Sequence, residues 1–257
     1  MKHLINLTFS FAKRDFKERY IGTGLGQFWY ILSPLIMIFI YTVVFSDFMK
    51  MKLDIVDNTY AYSIYLVPGL LAWTTFSTII SRLSTSFFEK ANLIKKISVP
   101  MFVFQGSIMI TESFLLLISF SLALGFLFLV NHPITLSFLC LLPIMFFQMI
   151  FAFSLGVIIS LFVPFFKDLK VAVPIILQLS FWMTPIIYMK EMILDKYPFI
   201  IKYNPFYYYI SLYQDIFLYS KVPSFKHFAL IIFIAFFTLG IAAFLYKKMI
   251  STIKDII

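Results

Sequence analysis

Residues Ser113–Phe166 read SFLLLISFSLALGFLFLVNHPITLSFLCLLPIMFFQMIFAFSLGVIISLFVPFF, 54 residues without a formally charged side chain. One α-helix of that length would measure about 80 Å, against a hydrocarbon core of about 30 Å. The chain must turn back inside the run, and Asn131-His132-Pro133 is the strong turn signal near its middle. Two antiparallel membrane helices follow, over 102–130 and 134–164. Further apolar runs place spans at 26–47, 59–84, 171–189 and 226–247. Hydrophobic residues make up 61% of the chain and charged residues 13%, against roughly half and a quarter in soluble domains. The expected fold is therefore an all-α polytopic membrane protein with six transmembrane helices, a single transmembrane domain over 1–257.

The ends of these spans carry the charge. Residues 1–22 place Ile5, Phe9, Ala12, Phe16 and Tyr20 on one helical face and Asn6, Ser10, Lys13 and Lys17 on another. That pattern suits an amphipathic helix at the membrane interface, its basic side toward anionic headgroups. Lys13, Arg14, Asp15, Lys17, Glu18 and Arg19 leave no room for the apolar core of a removable signal peptide, so the first span is expected to direct its own insertion. Gly22, Gly24 and Gly26 follow in a G-x-G-x-G spacing with no strand before them. This is a hinge between helix and span rather than a dinucleotide fingerprint.

Between the second and third spans, Glu89–Pro100 reads EKANLIKKISVP. Leu93, Ile94 and Ile97 recur at helical spacing, Lys95 and Lys96 point elsewhere, and Pro100 ends the turn. On its residues alone this is a short amphipathic helix or a solvated basic loop. Between the last two spans, 203–221 is aromatic, opened by Asn204-Pro205 and followed by Val222-Pro223. Its uncharged part, Tyr203–Gln214, is too short to cross. Two short re-entrant helices in the outer leaflet are expected there, or an exposed loop with an aromatic belt.

Lys and Arg counts orient the spans. With the N-terminus inside, inner segments hold fourteen and outer segments seven. The two-to-one bias puts both termini in the cytoplasm, which six spans permit.

Little here is suited to chemistry. No G-x-x-x-x-G-K-[ST] phosphate loop, no H-E-x-x-H and no pair of carboxylates at one membrane depth occurs. Cys140 is the one cysteine, and His3, His132 and His227 are scattered, so neither a disulfide framework nor a metal cluster is expected. Glu112 is the single acid well inside a span. An ionised carboxylate there must face protein, a partner subunit or water, which leaves a packing role and a place on a substrate path both open. Aromatic residues number 34 Phe, 15 Tyr and 3 Trp. Membrane-interface belts absorb most of them. Stacking on sugar rings is the specific alternative, with Phe28, Trp29 and Tyr30 at the inner mouth and Tyr207, Tyr208, Tyr209 and Tyr213 at the outer one.

Several motifs in order resemble the membrane subunits of type 2 ABC exporters. Arg14-Asp15-Phe16-Lys17, Arg19-Tyr20, Leu25-Gly26, Trp29 and Ser33-Pro34-Leu35 look like that family's interface helix entering span one. Asn92-Leu93-Ile94-Lys95-Lys96-Ile97 with Pro100 looks like its cytoplasmic coupling loop. Lys167-Asp168, Gln178, Thr184-Pro185-Ile186-Ile187-Tyr188 and Asn204-Pro205-Phe206 look like its motifs around span five. Two positions depart from the pattern: Lys167 stands where Arg is usual, and Gln214-Asp215 where a basic residue is common. The subfamily most closely resembled exports lipid-linked polysaccharide such as O-antigen or teichoic acid.

The resemblance implies a permease without catalytic residues, cofactor or metal of its own. It implies a homodimer carrying two copies of a separate ABC ATPase, which binds ATP and Mg, a lipid-linked glycan as substrate, and no nucleic acid. Glu89, Lys90, Asn92, Leu93, Ile94, Lys95 and Lys96 would couple to the ATPase. Lys13, Arg14, Lys17 and Arg19 would receive the lipid head. Phe28, Trp29, Tyr30 and Glu112 would line the substrate path, and Thr184, Pro185, Asn204, Pro205 and Tyr207 an outer gate. The setting would be the bacterial cytoplasmic membrane. A same-family exporter of a drug or small lipid is the first rival, a stand-alone secondary transporter or channel the second, and a membrane transferase the third.

Overall fold

The computed structural model describes residues 2–48, 59–89, 99–194 and 196–256. The described residues are helical with no strand. Helix α1 spans Lys2–Glu18, and α2 spans Trp29–Thr42 and runs on as a π-helical stretch, Val43–Phe48. Helix α3 spans Ala61–Glu89, α4 Met101–Leu129, α5 Leu141–Phe162 and α6 Leu169–Met183. Two short helices, α7 (Glu191–Leu194) and α8 (Pro198–Tyr203), precede α9 (Pro205–Tyr219) and α10 (Phe225–Ile256).

Among the described residues, five segments are long and apolar enough to cross a membrane: Gly26–Ser46, Ala61–Glu89, Met101–Leu129, Leu136–Phe162 and Phe225–Ile253. The sixth expected span, 171–189, is shorter than its apolar run. Helix α6 has 15 residues and ends at Met183, about 22 Å at 1.5 Å per residue. Pro185 is the cause: it disfavours helical backbone at the preceding residue, and Thr184 is extended at φ −99°, ψ 127°. The long uncharged run reverses where expected, with Asn131 in the left-handed region at φ 53°.

Helix α3 lies at the centre, packed by α2, α4, α5, α6 and α9. Its apolar face is fully buried at Ile64, Leu66, Ile79 and Leu83. At Gly156 of α5 an added Cβ would stand 2.5 Å from Leu83 Cδ1 and 2.8 Å from its Cβ. A small residue at this crossing is what lets two membrane helices come close.

The two regions expected to lie at the membrane surfaces are both packed onto the bundle. Helix α1 runs alongside the first half of α4. Thr8 meets Gly106, the Thr111 hydroxyl donates to the Ala12 carbonyl at 3.3 Å, and Phe16 meets Phe114 at 5.5 Å between ring centres. The turns after it contain Gly22 at φ +85° and Gly26 at φ +50°, the freedom a hinge needs. In the 203–221 region the structure has one 15-residue helix, α9, in place of two short ones. Asn204 caps it, Oδ1 accepting from the amides of Phe206 and Tyr207 at 3.0 and 3.3 Å, and Pro205 fills the first turn. Ser220 in the left-handed region closes α9, and Val222-Pro223 ends the region just before α10.

Candidate functional site

The half of the bundle that holds α1 is joined by four charged side chains. Arg82, two turns before the end of α3, donates Nη1 to Glu112 Oε1 of α4 at 2.6 Å and Nη2 to Asp15 Oδ1 of α1 at 2.5 Å. Arg19, just past α1, donates Nη1 to the same Glu112 Oε1 at 3.0 Å. Glu112 is 3% exposed, while Arg19 and Arg82 keep about a quarter of their side chains in the open, 28% and 26%. The two carboxylates and two guanidinium groups balance in charge, which is how a buried carboxylate is tolerated. The quartet ties α1, α3 and α4 together at one level, so two carboxylates, Asp15 and Glu112, do share a depth, against expectation, because α1 packs along α4.

Beside it a cavity of about 170 Å³ opens between α2, α3 and α4, lined by Arg19, Trp29, Thr75, Thr78, Glu112 and Ser119 among others. A second, of about 400 Å³, lies between α2, α3 and α6, with Tyr41, Thr74, Ser77, Ser81 and Gln178 on its wall. Both border a row of hydroxyls on α3, the smaller at Thr74 and Thr78 and the larger at Thr74, Ser77 and Ser81, and Thr85 continues the row beyond them at i+11 from Thr74. The row is half-buried throughout, whereas Phe76, Ile79, Ile80 and Leu83 on the other side of the helix are buried. Three of the hydroxyl protons go to helix carbonyls one turn back: Thr74 to Leu70 at 3.0 Å, Ser77 to Thr74 at 3.1 Å and Thr78 to Thr74 at 2.7 Å. The oxygens remain as acceptors facing the cavities. The row is legible in TTFSTIISRLST and falls outside a search for charged or aromatic clusters.

Residues 6–218 match the ABC-2 type transporter family. This chain belongs to that family. Two Klebsiella pneumoniae proteins, each named O-antigen export system permease protein RfbA, are similar to it. One is 28% identical over 96% of this chain and 93% of its own length, the other 30% identical over 84% and 82%. A Myxococcus xanthus protein of the same name is 26% identical over 84% of this chain and 82% of its own. The ABC-2 transporter is thus a multi-pass permease chain, a transport component.

The remaining expected site residues fall into separate groups on this transporter. Of the four basic residues expected to receive the lipid head, Arg14 is paired with Glu18 at 2.6 Å and Arg19 with Glu112, while Lys13 and Lys17 are exposed. Tyr30 is buried: its hydroxyl donates to the Phe16 carbonyl at 2.6 Å and its ring lies 4.1 Å from that of Phe16. It holds α1 against α2. Trp29 reaches the smaller cavity, and Phe28 points outward at 72% exposure. Glu89 is the last described residue of α3 and accepts from the Thr85 hydroxyl at 2.6 Å. Lys90, Asn92, Leu93, Ile94, Lys95 and Lys96 lie outside the described residues.

At the other end, the structure brings Thr184, Pro185, Asn204 and Tyr207 together. Asn204 Nδ2 donates to Thr184 Oγ1 at 2.7 Å. Because the chain leaves α6 without helical bonds, the carbonyls of 185, 187 and 188 need other donors. Gln214 Nε2 reaches the Pro185 carbonyl at 3.2 Å, Tyr65 the Tyr188 carbonyl at 3.1 Å, and Tyr62 the Ile187 carbonyl. Pro205 is exposed, and Tyr207 is buried, its hydroxyl pushed up to about 12 by that burial. Tyr209 and Tyr213 are core residues rather than outer-mouth ones. Their hydroxyls donate inward, to the Ile231 carbonyl at 2.9 Å and to Gln148 Oε1 at 2.7 Å, so no face is left for a sugar.

A third cavity, of about 530 Å³, lies between α3, α5 and α6, and Trp73, Phe76, Phe151, Phe162, Leu177 and Phe206 give it an almost wholly apolar wall. No group of three or more His, Cys, Asp or Glu among the described residues is placed to hold a metal.

Proposed function

We propose that this chain is the membrane permease of an ATP-driven exporter of a lipid-linked, O-antigen-like glycan, working in the bacterial cytoplasmic membrane with both termini inside. Two copies would form the conduit, and two copies of a separate ABC ATPase would bind ATP and Mg. The observation that carries the substrate class is the hydroxyl row of α3. A sugar chain passing through needs many weak, regularly spaced hydrogen-bond partners and no deep pocket, and acceptors repeated along one helix face offer that. The names of the similar permeases from Klebsiella and Myxococcus point the same way.

On this reading α1 lies at the inner membrane interface, with Lys13 and Lys17 free to meet the phosphate-bearing head within a Debye length of about 8 Å. The segment from Glu89 to Pro100 receives the push of the ATPase. Helix α6 with Thr184–Lys190 completes the sixth crossing, and α9 is the re-entrant helix behind an outer gate at Thr184, Pro185, Asn204, Pro205 and Tyr207. The 530 Å³ apolar cavity favours a second reading, a same-family exporter of a small apolar molecule or lipid.

Reconstitution with the ATPase separates them. Lipid-linked glycan is expected to stimulate ATP hydrolysis several-fold while small amphiphiles do not. Stimulation by small amphiphiles alone would overturn the glycan reading.

A further inference from the structure

Arg82 occupies an unusual position among the charges. Its side chain bonds both neighbours of α3's inner end, giving Nη2 to Asp15 of α1 and Nη1 to Glu112 of α4. Its pairing is incomplete in a specific way. Arginine and carboxylate meet best fork to fork, two bonds to two oxygens. Here Arg82 spends one nitrogen on each acid, Glu112 Oε1 serves Arg82 and Arg19 together, and Asp15 Oδ2 is buried with no hydrogen-bond partner. Two fuller pairings are therefore open to Arg82. It can turn wholly to Asp15, engaging the idle oxygen and leaving Glu112 to Arg19, or wholly to Glu112, releasing α1. A small rotation of α3 decides between them, since the side chains need not leave the site.

We infer that Arg82 is a positioning residue for coupling, a two-way ionic latch that makes α1 move with the inner end of α3. This rests on the proposal that the segment after Glu89 receives the motion of the ATPase. Seven residues, about 10 Å of helix, separate Arg82 from Glu89, and α3 is continuous between them. A force on the end of α3 thus passes Phe87, which is buried against α4, α5 and α10, and reaches Arg82 along the same rigid helix. Arg82 then passes it sideways to α1, which lies along α4 and is locked to α2 by Tyr30. The hydroxyl row lies on the same helix, on either side of Arg82, so the latch and the wall of the path turn together.

The test is Arg82→Lys in the full complex with its ATPase. Lysine keeps the charge but is a point donor without the planar fork, so it holds one carboxylate at a time. Surface glycan is measured in cells, and ATP hydrolysis on the purified complex in liposomes containing the lipid-linked glycan. The expected result is hydrolysis within about twofold of wild type and export reduced about tenfold or more, so that glycan delivered per ATP falls. Asp15→Asn, which removes the α1 arm and leaves the Arg82–Glu112 pair, should lower the same ratio with the complex intact, and it keeps the test sound if Arg82→Lys assembles poorly. A purely structural role predicts hydrolysis and export falling together. An unchanged ratio in the variants would therefore overturn the latch. Absence of glycan-stimulated hydrolysis in the wild-type complex would instead overturn the glycan proposal and leave the latch to be read with the substrate that does stimulate.

Discussion

The end of this permease that holds α1, its inner side on the proposed topology, and the opposite end solve the same problem with different chemistry. At the inner side, polar groups within a mostly apolar bundle are held by charges: two acids and two arginines share one level, with one carboxylate oxygen left over. At the outer side, neutral side chains hold backbone. Tyr62, Tyr65 and Gln214 each donate to a carbonyl that α6 cannot satisfy once Pro185 has ended it. A charged cluster with alternative partners can change its pairing at nearly constant energy, because every arrangement keeps opposite charges adjacent. The Ile187 and Tyr188 carbonyls each rest on one tyrosine and must lose that bond to move, while the Pro185 carbonyl takes Gln214 at 3.2 Å and has the Tyr65 hydroxyl at 3.4 Å. The inner side is thus built to shift, and the outer side to keep a shape.

Substitutions can break that contrast, beginning where the effect is largest. Tyr65→Phe with Gln214→Leu strips the donors from the Pro185 and Tyr188 carbonyls. Two buried acceptors left unpaired should together cost about 3 kcal/mol, read as a lower midpoint when the detergent-solubilised protein is heated and its folded fraction measured by size exclusion. A midpoint within a degree of wild type would mean that these bonds do not pin the outer segment.

Glu112→Gln comes next. It removes the charge shared by both arginines while preserving shape. Because water reaches both guanidinium groups, the loss should be smaller, about 2 kcal/mol, than for a fully enclosed pair. Export should fall further than stability accounts for. If export and assembly were both untouched, the quartet would have no role in either.

The smallest effect should come from Asp215 on α9. Burial raises this carboxyl above its usual range, and Lys190, Lys221 and His227 pull it partway back. With the folded value above the unfolded one, the native state holds its proton longer, so stability falls as pH rises from the unfolded value to the folded one. Asp215→Asn should therefore raise the midpoint slightly at neutral pH, and the gain should vanish below about pH 4, where both forms are neutral. A gain that persists at low pH would locate the effect in packing instead.

Much of this architecture was readable from residues. The reversal at Asn131-His132-Pro133, the hinge glycines and the cap at Asn204-Pro205 are local signals, and each appears where its chemistry requires. Two further features have their own signal in the sequence. Pro185 announces the early end of α6, though the apolar run continues to Met189. The hydroxyl row of α3 has helical spacing but no charge to draw notice. The ion quartet is different in kind. Arg19 and Glu112 are 93 residues apart and Asp15 and Arg82 are 67 apart, so no spacing rule joins them. Glu112 was recognisable as an acid needing a partner, yet only the packing of α1 along α4 determines which one. The same packing gives Tyr30 a structural role, holding α1 against α2, while the residue still lines the smaller cavity.

The central claim is that this chain supplies a path and no power. It is tested most directly by placing the purified permease in liposomes with lipid-linked glycan and ATP, with and without its ATPase. The account predicts no hydrolysis and no glycan movement for the permease alone, and both once the ATPase is added. Glycan transport by the permease alone, or ATP hydrolysis by it, would contradict the account.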